Sequence, residues 1–89
     1  MKEDFYNYLV KRGYSVITPS GNPSTVYDYI KRIDKICEWE NISWPGLARN
    51  ISTIVAQYDV GGSKQDLGHN SHNAVISALK RFSEFLAEQ

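Results

Sequence analysis

The chain has 89 residues, and its ten Lys and Arg are matched by ten Asp and Glu, which gives a formal net charge of zero. This length allows one small domain that buries about 60% of the surface of its unfolded chain, and it excludes a large multidomain enzyme. No run of roughly 18 apolar residues could span a bilayer and the first residues lack the apolar segment of a secretory signal, so we expect a cytoplasmic protein without membrane contact.

The first predicted element is a helix over about residues 2–12. Phe5, Tyr8 and Leu9 recur at helical spacing, and Gly13 follows as a residue that can take the positive φ of a helix C-terminus. Pro and Gly interrupt the stretch 13–22, which is therefore predicted to be a loop. This loop is a candidate hinge between the first helix and a helical core over about residues 22–88.

A second helix is predicted to begin after Asn22, which caps it, with Pro23 at the first helical position, where a missing N–H costs nothing. Its apolar residues share one arc of a helical wheel, and its basic residues lie on the far side. Cys37 is the only cysteine. Since it lies on the apolar face, a small buried thiol is expected rather than a redox or metal role. The apolar arc consists of Val26, Tyr29, Ile30, Ile33, Ile36 and Cys37.

The third predicted helix covers residues 44–58. Ser43 is its expected cap, Pro45 lies in its first turn, and Gly61 with Gly62 marks its end. Its apolar residues again gather on one face, which is expected to pack against the second helix. They are Leu47, Ile51, Ile54, Val55 and Tyr58.

A polar loop over residues 63–70 precedes the fourth predicted helix, which Ser71 caps. The core stripe of this helix consists of Val75, Ile76, Leu79, Phe82 and Leu86. No segment has a convincing period-two pattern, so the chain is predicted to be a single all-α domain over residues 1–89, a compact four-helix bundle. The side chains expected to be almost fully buried and in mutual contact are those of Ile33, Leu47, Ile51, Leu79 and Phe82.

Motifs of catalysis are absent from the sequence. It contains no P-loop, no Gly-x-Ser-x-Gly and no His-Glu-x-x-His pattern. His69 and His72 are three positions apart at a predicted junction of loop and helix, but a zinc site would need further ligands. Two solvated polar residues are the simpler interpretation. The sequence therefore predicts no enzyme activity, no cofactor and no bound metal.

Three segments carry a resemblance to a known family. Residues 71–86 read Ser-His-Asn-Ala-Val-Ile-Ser-Ala-Leu-Lys-Arg-Phe-Ser-Glu-Phe-Leu, residues 23–30 read Pro-Ser-Thr-Val-Tyr-Asp-Tyr-Ile, and the third segment is 44–58. They resemble the last, opening and middle helices of the SAM-like core-binding domain on the N-terminal side of phage integrases and other tyrosine recombinases. The three pieces together cover about residues 3–86.

This resemblance implies a domain that grips duplex DNA and leaves the chemistry to a separate catalytic domain. That catalytic domain carries the nucleophilic Tyr with its Arg, His and Lys partners and is missing from these 89 residues. The chain would then be either a piece of a longer recombinase or a stand-alone relative. Duplex DNA is the expected partner, with recombinase protomers as the protein partners of the first case.

The resemblance also places the DNA contacts, at two helix starts and at the loop before the last helix. Helix N-termini present free N–H groups and a partial positive charge to phosphate. Because the net charge is zero, the affinity is expected to be modest and quickly lost with salt. We call the two groups of assigned residues the first and the second edge. The first edge consists of Ser24, Thr25, Tyr27 and Lys31. The second edge consists of Lys64, His69, Ser71, His72, Asn73, Ser77 and Lys80.

A competing hypothesis is a small helical protein-interaction module of a phage or mobile element. Exposed Trp and Tyr favour protein interfaces, and several aromatic residues are not needed by the predicted core. The alternative for the two Trp is that they pack against each other or under the first helix. A helix-turn-helix repressor is disfavoured, since no short turn leads into a basic recognition helix. The aromatic residues in question are Tyr6, Tyr14, Tyr27, Trp39 and Trp44.

Overall fold

The computed structural model describes residues 1–16 and 25–89, apart from the side chains of Ser71 and His72. All regular structure within these ranges is helical, so the all-α prediction is confirmed. Six helices occur there where the sequence predicts four, because the third predicted helix is broken in two and the polar loop contains a short helix. They are α1 (Lys2–Lys11), α2 (Thr25–Glu40), α3 (Trp44–Arg49), α4 (Ile51–Tyr58), α5 (Gln65–Gly68) and α6 (Asn70–Ala87).

The end of α1 lies where the sequence predicts it. Arg12 is the C-cap, and Gly13 follows with a φ of 93°, a left-handed conformation that glycine adopts without a Cβ clash. The N–H of Tyr14 donates to the carbonyl of Leu9 at 3.1 Å, and the N–H of Gly13 donates to that of Val10 at 3.0 Å. These are the two bonds of a Schellman motif, and they satisfy carbonyls that the helix itself leaves without partners.

The apolar face of α2 is buried against the other helices, as predicted. Its fully buried members are Val26, Ile33 and Ile36. Cys37 is also buried, and this burial raises the pKa of its thiol, which matches the expectation of a structural cysteine. The predicted cap and first residue of this helix, Asn22 and Pro23, lie outside the described residues.

The third predicted helix is interrupted at Asn50. It starts as expected: the Ser43 hydroxyl accepts a hydrogen bond from the N–H of Gly46 at 3.2 Å, and Pro45 lies in the first turn. At Asn50 the backbone leaves the helical conformation (φ −113°, ψ 19°), and the side-chain amide donates to the carbonyl of Gly46 at 2.9 Å. Such competition for backbone groups weakens a helix locally. Ile51 then opens α4 and is only half-buried, so the prediction of its full burial is wrong.

The segment between α4 and α6 contains a short helix where the sequence predicts a polar loop. α4 ends at Tyr58, the last residue of the range predicted for the third helix, and α5 follows at residues 65–68. Gly68 is buried, and a Cβ at this position would overlap the carbonyl oxygen of Tyr58. Glycine is therefore the residue that lets α5 lie against the end of α4, and this contact fixes where α6 begins.

α6 begins at Asn70, one residue before its predicted cap. The prediction that Ser71 caps this helix is therefore wrong. His69 occupies the cap position without a side-chain cap hydrogen bond, and its Nδ1 lies 2.9 Å from the carbonyl oxygen of Gln65. Asn73 has a φ of 67°, a left-handed conformation that Asn tolerates better than most residues. The first turn of α6 is therefore irregular, since α5 leads into it almost directly.

α6 lies at the centre of the fold and packs against α1, α2, α4 and α5. On the side that faces α1, aromatic rings fill the core: Phe82 meets Phe5 at 5.2 Å and Trp44 at 5.4 Å, both edge-on. Edge-on contact is a favoured arrangement of aromatic pairs. Four of the five side chains predicted to be almost fully buried have no exposed surface: Ile33, Leu47, Leu79 and Phe82.

Candidate functional site

The first predicted edge, at the start of α2, is exposed. Thr25 opens the helix, and Tyr27 and Lys31 lie on its surface further along. Tyr27 is 47% exposed, and its ring meets that of Tyr6 edge-on at 6.1 Å. Ser24 lies outside the described residues. The three described residues of this edge are thus accessible to a ligand.

The two lysines of the second predicted edge are engaged in ion pairs. Lys64 contacts the carboxylate of Glu40, and its ammonium lies 5.7 Å from the centre of the Tyr58 ring. Lys80 lies 3.5 Å from the carboxylate of Asp59. The protein itself therefore balances both positive charges, which weakens their attraction for a phosphate.

The other residues of the second edge belong to the start of α6 and its cap. His69 is half-buried at the cap, Asn73 is exposed, and Ser77 is half-buried about one turn further along. Ser71 and His72 lie in the first turn, and their side chains are outside the described part. These five positions share one end of α6.

A groove lies between α2 and the start of α6, and Lys31 of the first predicted edge belongs to its lining. Its volume is about 430 Å³, within the range of about 300–1,000 Å³ that is typical of ligand sites. The α6 side consists of Asn70 and Val75, and we refer to the whole as the α2–α6 groove. The α2 side consists of Lys31, Arg32, Asp34, Lys35, Glu38 and Trp39.

Of the residues in the α2–α6 groove, only Lys31 is predicted from the sequence to contact DNA. A signal for two others is present, because Lys31, Lys35 and Trp39 follow one another at four-residue spacing and so form one stripe along α2. The sequence does not reveal that the start of α6 lies opposite this stripe. Arg32 and Lys35 are therefore functional candidates that the sequence reasoning missed, and Trp39, which it considered only for a protein interface, joins them.

The acidic residues of the groove are partly occupied by other partners. The carboxylate of Asp34 lies 3.0 Å from the ammonium of Lys2 and accepts the indole N–H of Trp44 at 2.9 Å. Glu38 lies 3.9 Å from Lys35, and surface pairs of this kind contribute little. The two carboxylates thus cancel only part of the positive charge that α2 brings to the groove.

Two cations of the groove have no ion pair among the residues that the structure describes, namely Lys31 and Arg32. The Nε of Arg32 is also sealed from solvent and finds no hydrogen-bond acceptor in the described ranges. A buried donor without an acceptor costs about 1–3 kcal/mol. A change of the Arg32 side-chain conformation that turns this donor toward the groove would let an anionic ligand supply the missing acceptor.

Trp39 gives the groove an aromatic wall. Its side chain is 37% exposed, and its ring lies 6.3 Å from that of Tyr58 with only 13° between the planes. Tyr58 is fully buried, and its hydroxyl donates to Glu40 at 2.8 Å. The indole is therefore held in a defined orientation by a ring that is itself fixed.

Glu40 joins α2 to α4 and to the segment before α5. Burial disfavours its charged form, but the hydrogen bonds from Lys64 and Tyr58 and the charge of Lys64 outweigh this, so the pKa of Glu40 lies below its ordinary value. Burial and the hydrogen bond to Glu40 raise the pKa of Tyr58. At neutral pH the carboxylate is therefore ionised and the phenol neutral, as this network of hydrogen bonds requires.

Two of the aromatic residues considered for a protein interface are used inside the fold. Trp44 packs under the first helix, 6.0 Å from Phe5, which is one of the two predicted alternatives. Tyr14 meets Tyr29 edge-on at 5.4 Å. The two indoles therefore have different partners, since Trp39 stacks on Tyr58.

A second hollow, between α1 and α2, is apolar. Its volume is about 380 Å³, and its lining includes Tyr6, Tyr27 and Ile30 with the first residues of α1, Lys2 and Glu3. Partly exposed tyrosines around an apolar surface are typical of protein interfaces. This hollow borders the first predicted edge, because Tyr27 belongs to both.

No cluster of three His, Cys, Asp or Glu side chains that could hold a metal ion occurs within residues 1–16 and 25–89. No described helix combines the length and the apolar character needed to cross a membrane. No protein-family model, curated protein or solved structure matches the chain. The resemblance to the core-binding domain therefore stays a prediction from the residues themselves.

Proposed function

We propose that this chain is a non-enzymatic DNA-binding domain, a core-binding domain of an integrase-type recombinase or a stand-alone relative, that contacts duplex phosphates along the rim of the α2–α6 groove. The observation that carries the proposal is the position of Lys31, Arg32 and Lys35 opposite the start of α6. Cationic side chains and helix N-termini are the groups that proteins commonly present to phosphate. The family resemblance supports the same ligand.

The charge of the groove sets the expected strength of binding. With three cations, two carboxylates and a net charge of zero for the chain, at most about three phosphates are neutralised, so log K should fall with log salt with a slope no steeper than about −3. Backbone contacts of this kind carry no sequence information. The domain is therefore expected to bind duplex DNA weakly, with little sequence preference and a moderate salt dependence.

Fluorescence anisotropy with a labelled duplex at low salt tests the proposal. Lys31→Ala combined with Lys35→Ala should weaken binding almost uniformly across duplex sequences and reduce the magnitude of the salt slope by about two. Both lysines are exposed, so the double variant should keep its fold, which circular dichroism verifies.

The matched control is Lys11→Ala combined with Arg49→Ala, which removes the same charge from exposed positions on α1 and α3. This variant should retain binding within a small factor of the wild type. Equal losses in both double variants would show a non-local charge effect and overturn the groove assignment. Absence of duplex binding at roughly 50 mM salt with micromolar to submillimolar protein would overturn the proposed duplex-binding function.

A second candidate function rests on the apolar hollow between α1 and α2. Its tyrosines, Tyr6 and Tyr27, support the protein-interaction module of a phage or mobile element. Sedimentation of wild-type and Tyr27→Ser protein tests one partner directly, a second copy of the chain. Self-association that Tyr27→Ser abolishes, in a protein that binds no duplex, would favour this function over DNA binding.

A further inference from the structure

We infer that the α2–α6 groove accepts an unpaired nucleotide, with the base against Trp39 and the phosphate at Arg32, so that single-stranded DNA binds more tightly than a blunt duplex. This inference rests on the proposed function and deepens it, since it specifies the form of DNA that the groove selects. Four observations carry it: the shape of the groove, the orientation of its indole, the unsatisfied guanidinium and the spacing between these two groups.

The shape of the groove favours a single nucleotide. A hollow of about 430 Å³ has the size of a site for a small molecule, whereas the sugar-phosphate ridge of a duplex could only touch its rim. An unpaired nucleotide can leave the strand and enter the hollow. The duplex contacts proposed above would then use the outer lysines, and the interior of the groove would remain for an unpaired base.

Trp39 has the features of a stacking platform. Its exposed fraction of 37% leaves surface for a base, while its parallel contact with the fully buried Tyr58 fixes the plane of the indole. Stacking of a base on an aromatic side chain tolerates every base, because each base has a π face. A side chain that is already fixed loses little conformational entropy when it binds.

Arg32 has the features of a phosphate ligand. Its Nε hydrogen has no acceptor among the described residues, although the side chain lines the groove. A guanidinium group presents several donors in one plane, which suits two phosphate oxygens at once. Because this Nε is sealed from solvent, a rotation of the side chain must first turn it toward the groove, where a phosphate oxygen would convert the unsatisfied donor into a charged hydrogen bond.

The spacing of these two groups fits one nucleotide. Arg32 precedes Trp39 by seven residues, which is about two helical turns or 10 Å along the axis of α2. Positions seven apart on a helix lie on nearly the same face, and both side chains line the groove, so a guanidinium and an indole at these positions can hold the two ends of the same nucleotide. Val75 of α6 supplies an apolar surface across the groove.

The test compares an oligodeoxythymidylate of about ten nucleotides with a blunt duplex, using the whole chain of 89 residues. We expect the single strand to bind more tightly and to quench tryptophan fluorescence. Trp39→Ala should weaken single-strand binding by about 5- to 150-fold, the range of one lost base stack, and change duplex binding by less than about twofold. Trp39→Phe should abolish the quenching and keep most of the affinity, because Trp44, the other tryptophan, does not line the groove.

A matched control is Val60→Ala, a truncation at a position that is 77% exposed and lies outside the groove. It should leave both affinities unchanged. Duplex binding without preference for the single strand, or equal losses on both ligands for Trp39→Ala, would overturn this inference and leave the proposed function standing. Single-strand binding without duplex binding would overturn the duplex proposal and support the groove inference, and the loss of both would overturn both.

Discussion

Two clusters in this protein have the same chemical composition, a tyrosine, a glutamate and a cation, but differ in their exposure to solvent. In the outer triad, the hydroxyl of Tyr8 donates to Glu88 at 2.8 Å. Arg12 lies 3.6 Å from the same carboxylate and 5.7 Å from the Tyr8 ring. This triad joins the end of α1 to the end of α6, and the Glu88 side chain is 56% exposed.

The inner triad repeats this arrangement with less solvent. The hydroxyl of Tyr58 donates to Glu40 at 2.8 Å, and Lys64 pairs with Glu40 while it lies 5.7 Å from the Tyr58 ring. Here the glutamate side chain is only 14% exposed and the tyrosine is fully buried. A salt bridge in water is worth little, whereas a buried charge that loses its partner is costly. The inner triad also supports Trp39, so it links stability to the groove.

The largest expected difference between the triads comes from removal of the tyrosines. Tyr58→Ala should lower the free energy of unfolding by about 3–5 kcal/mol, because it leaves a cavity in the core and removes a hydrogen bond to the Glu40 carboxylate. Tyr8→Ala should cost less than half as much, since its ring is only partly buried. Urea denaturation of the two variants measures both values. Equal losses would show that the exposure of the two rings does not decide their contributions.

The next effect is expected from the glutamates, and it depends on pH. Glu40→Gln should lower the free energy of unfolding by about 1–2 kcal/mol at neutral pH, while Glu88→Gln should change it by less than about 0.5 kcal/mol. The pKa of Glu40 lies below its ordinary value of 4.5 in the folded protein. Its contribution is therefore fully present above pH 4.5 and is lost as the pH falls through the folded pKa.

The difference in stability between the wild type and Glu40→Gln should thus be largest at neutral pH and shrink below pH 4.5. Denaturation midpoints measured across this range check the sign. A difference that grows on acidification would contradict a lowered pKa for Glu40.

The smallest effect is expected from the cations. Lys64→Met should cost about 0.5–1 kcal/mol of stability and Arg12→Met about 0–0.5 kcal/mol, since both side chains reach solvent. Because the charge of Lys64 is already paired with Glu40, Lys64→Met should also weaken DNA binding less than Lys31→Ala does. An equal loss of affinity for the two variants would identify Lys64 as a phosphate contact, as the sequence predicts.

The helix faces were predictable from the sequence because burial follows helical spacing. The exact register near the end of α6 was not: Phe85 is almost fully buried, while the predicted Leu86 is only half-buried. Phe85 lies 5.4 Å from both Phe5 and Tyr8, so α1 packs on this side of α6 and extends its buried face. The sequence does not show which of two adjacent apolar residues is more deeply buried, because this depends on which helix packs against them.

The break at Asn50 was not predictable for a related reason. An Asn within a helical pattern can point into solvent or bond to the backbone, and only the second case interrupts the helix. Here its amide reaches the carbonyl of Gly46, four residues back, and the continuous helix expected over 44–58 becomes two. Whether the helix is continuous or broken depends on the conformation of the Asn50 side chain, and the spacing of apolar residues does not reveal this conformation.

The candidate site was the least predictable part, because charge pairing joins residues that are distant in sequence. Lys64 meets Glu40 and Lys80 meets Asp59 only once the helices have packed. Spacing along a single helix identified Lys31 as exposed and basic. It could not show which lysines the fold neutralises, nor that α6 begins opposite those on α2.

The close contact at Gly68 has a consequence for the recognition of related sequences. Most positions on the exposed surface tolerate many side chains without a change of fold. Position 68 does not, because any side chain there would collide with the backbone of α4 and displace the start of α6. Any sequence that packs α5 against α4 in this way is therefore expected to have glycine at the position ten residues after Tyr58.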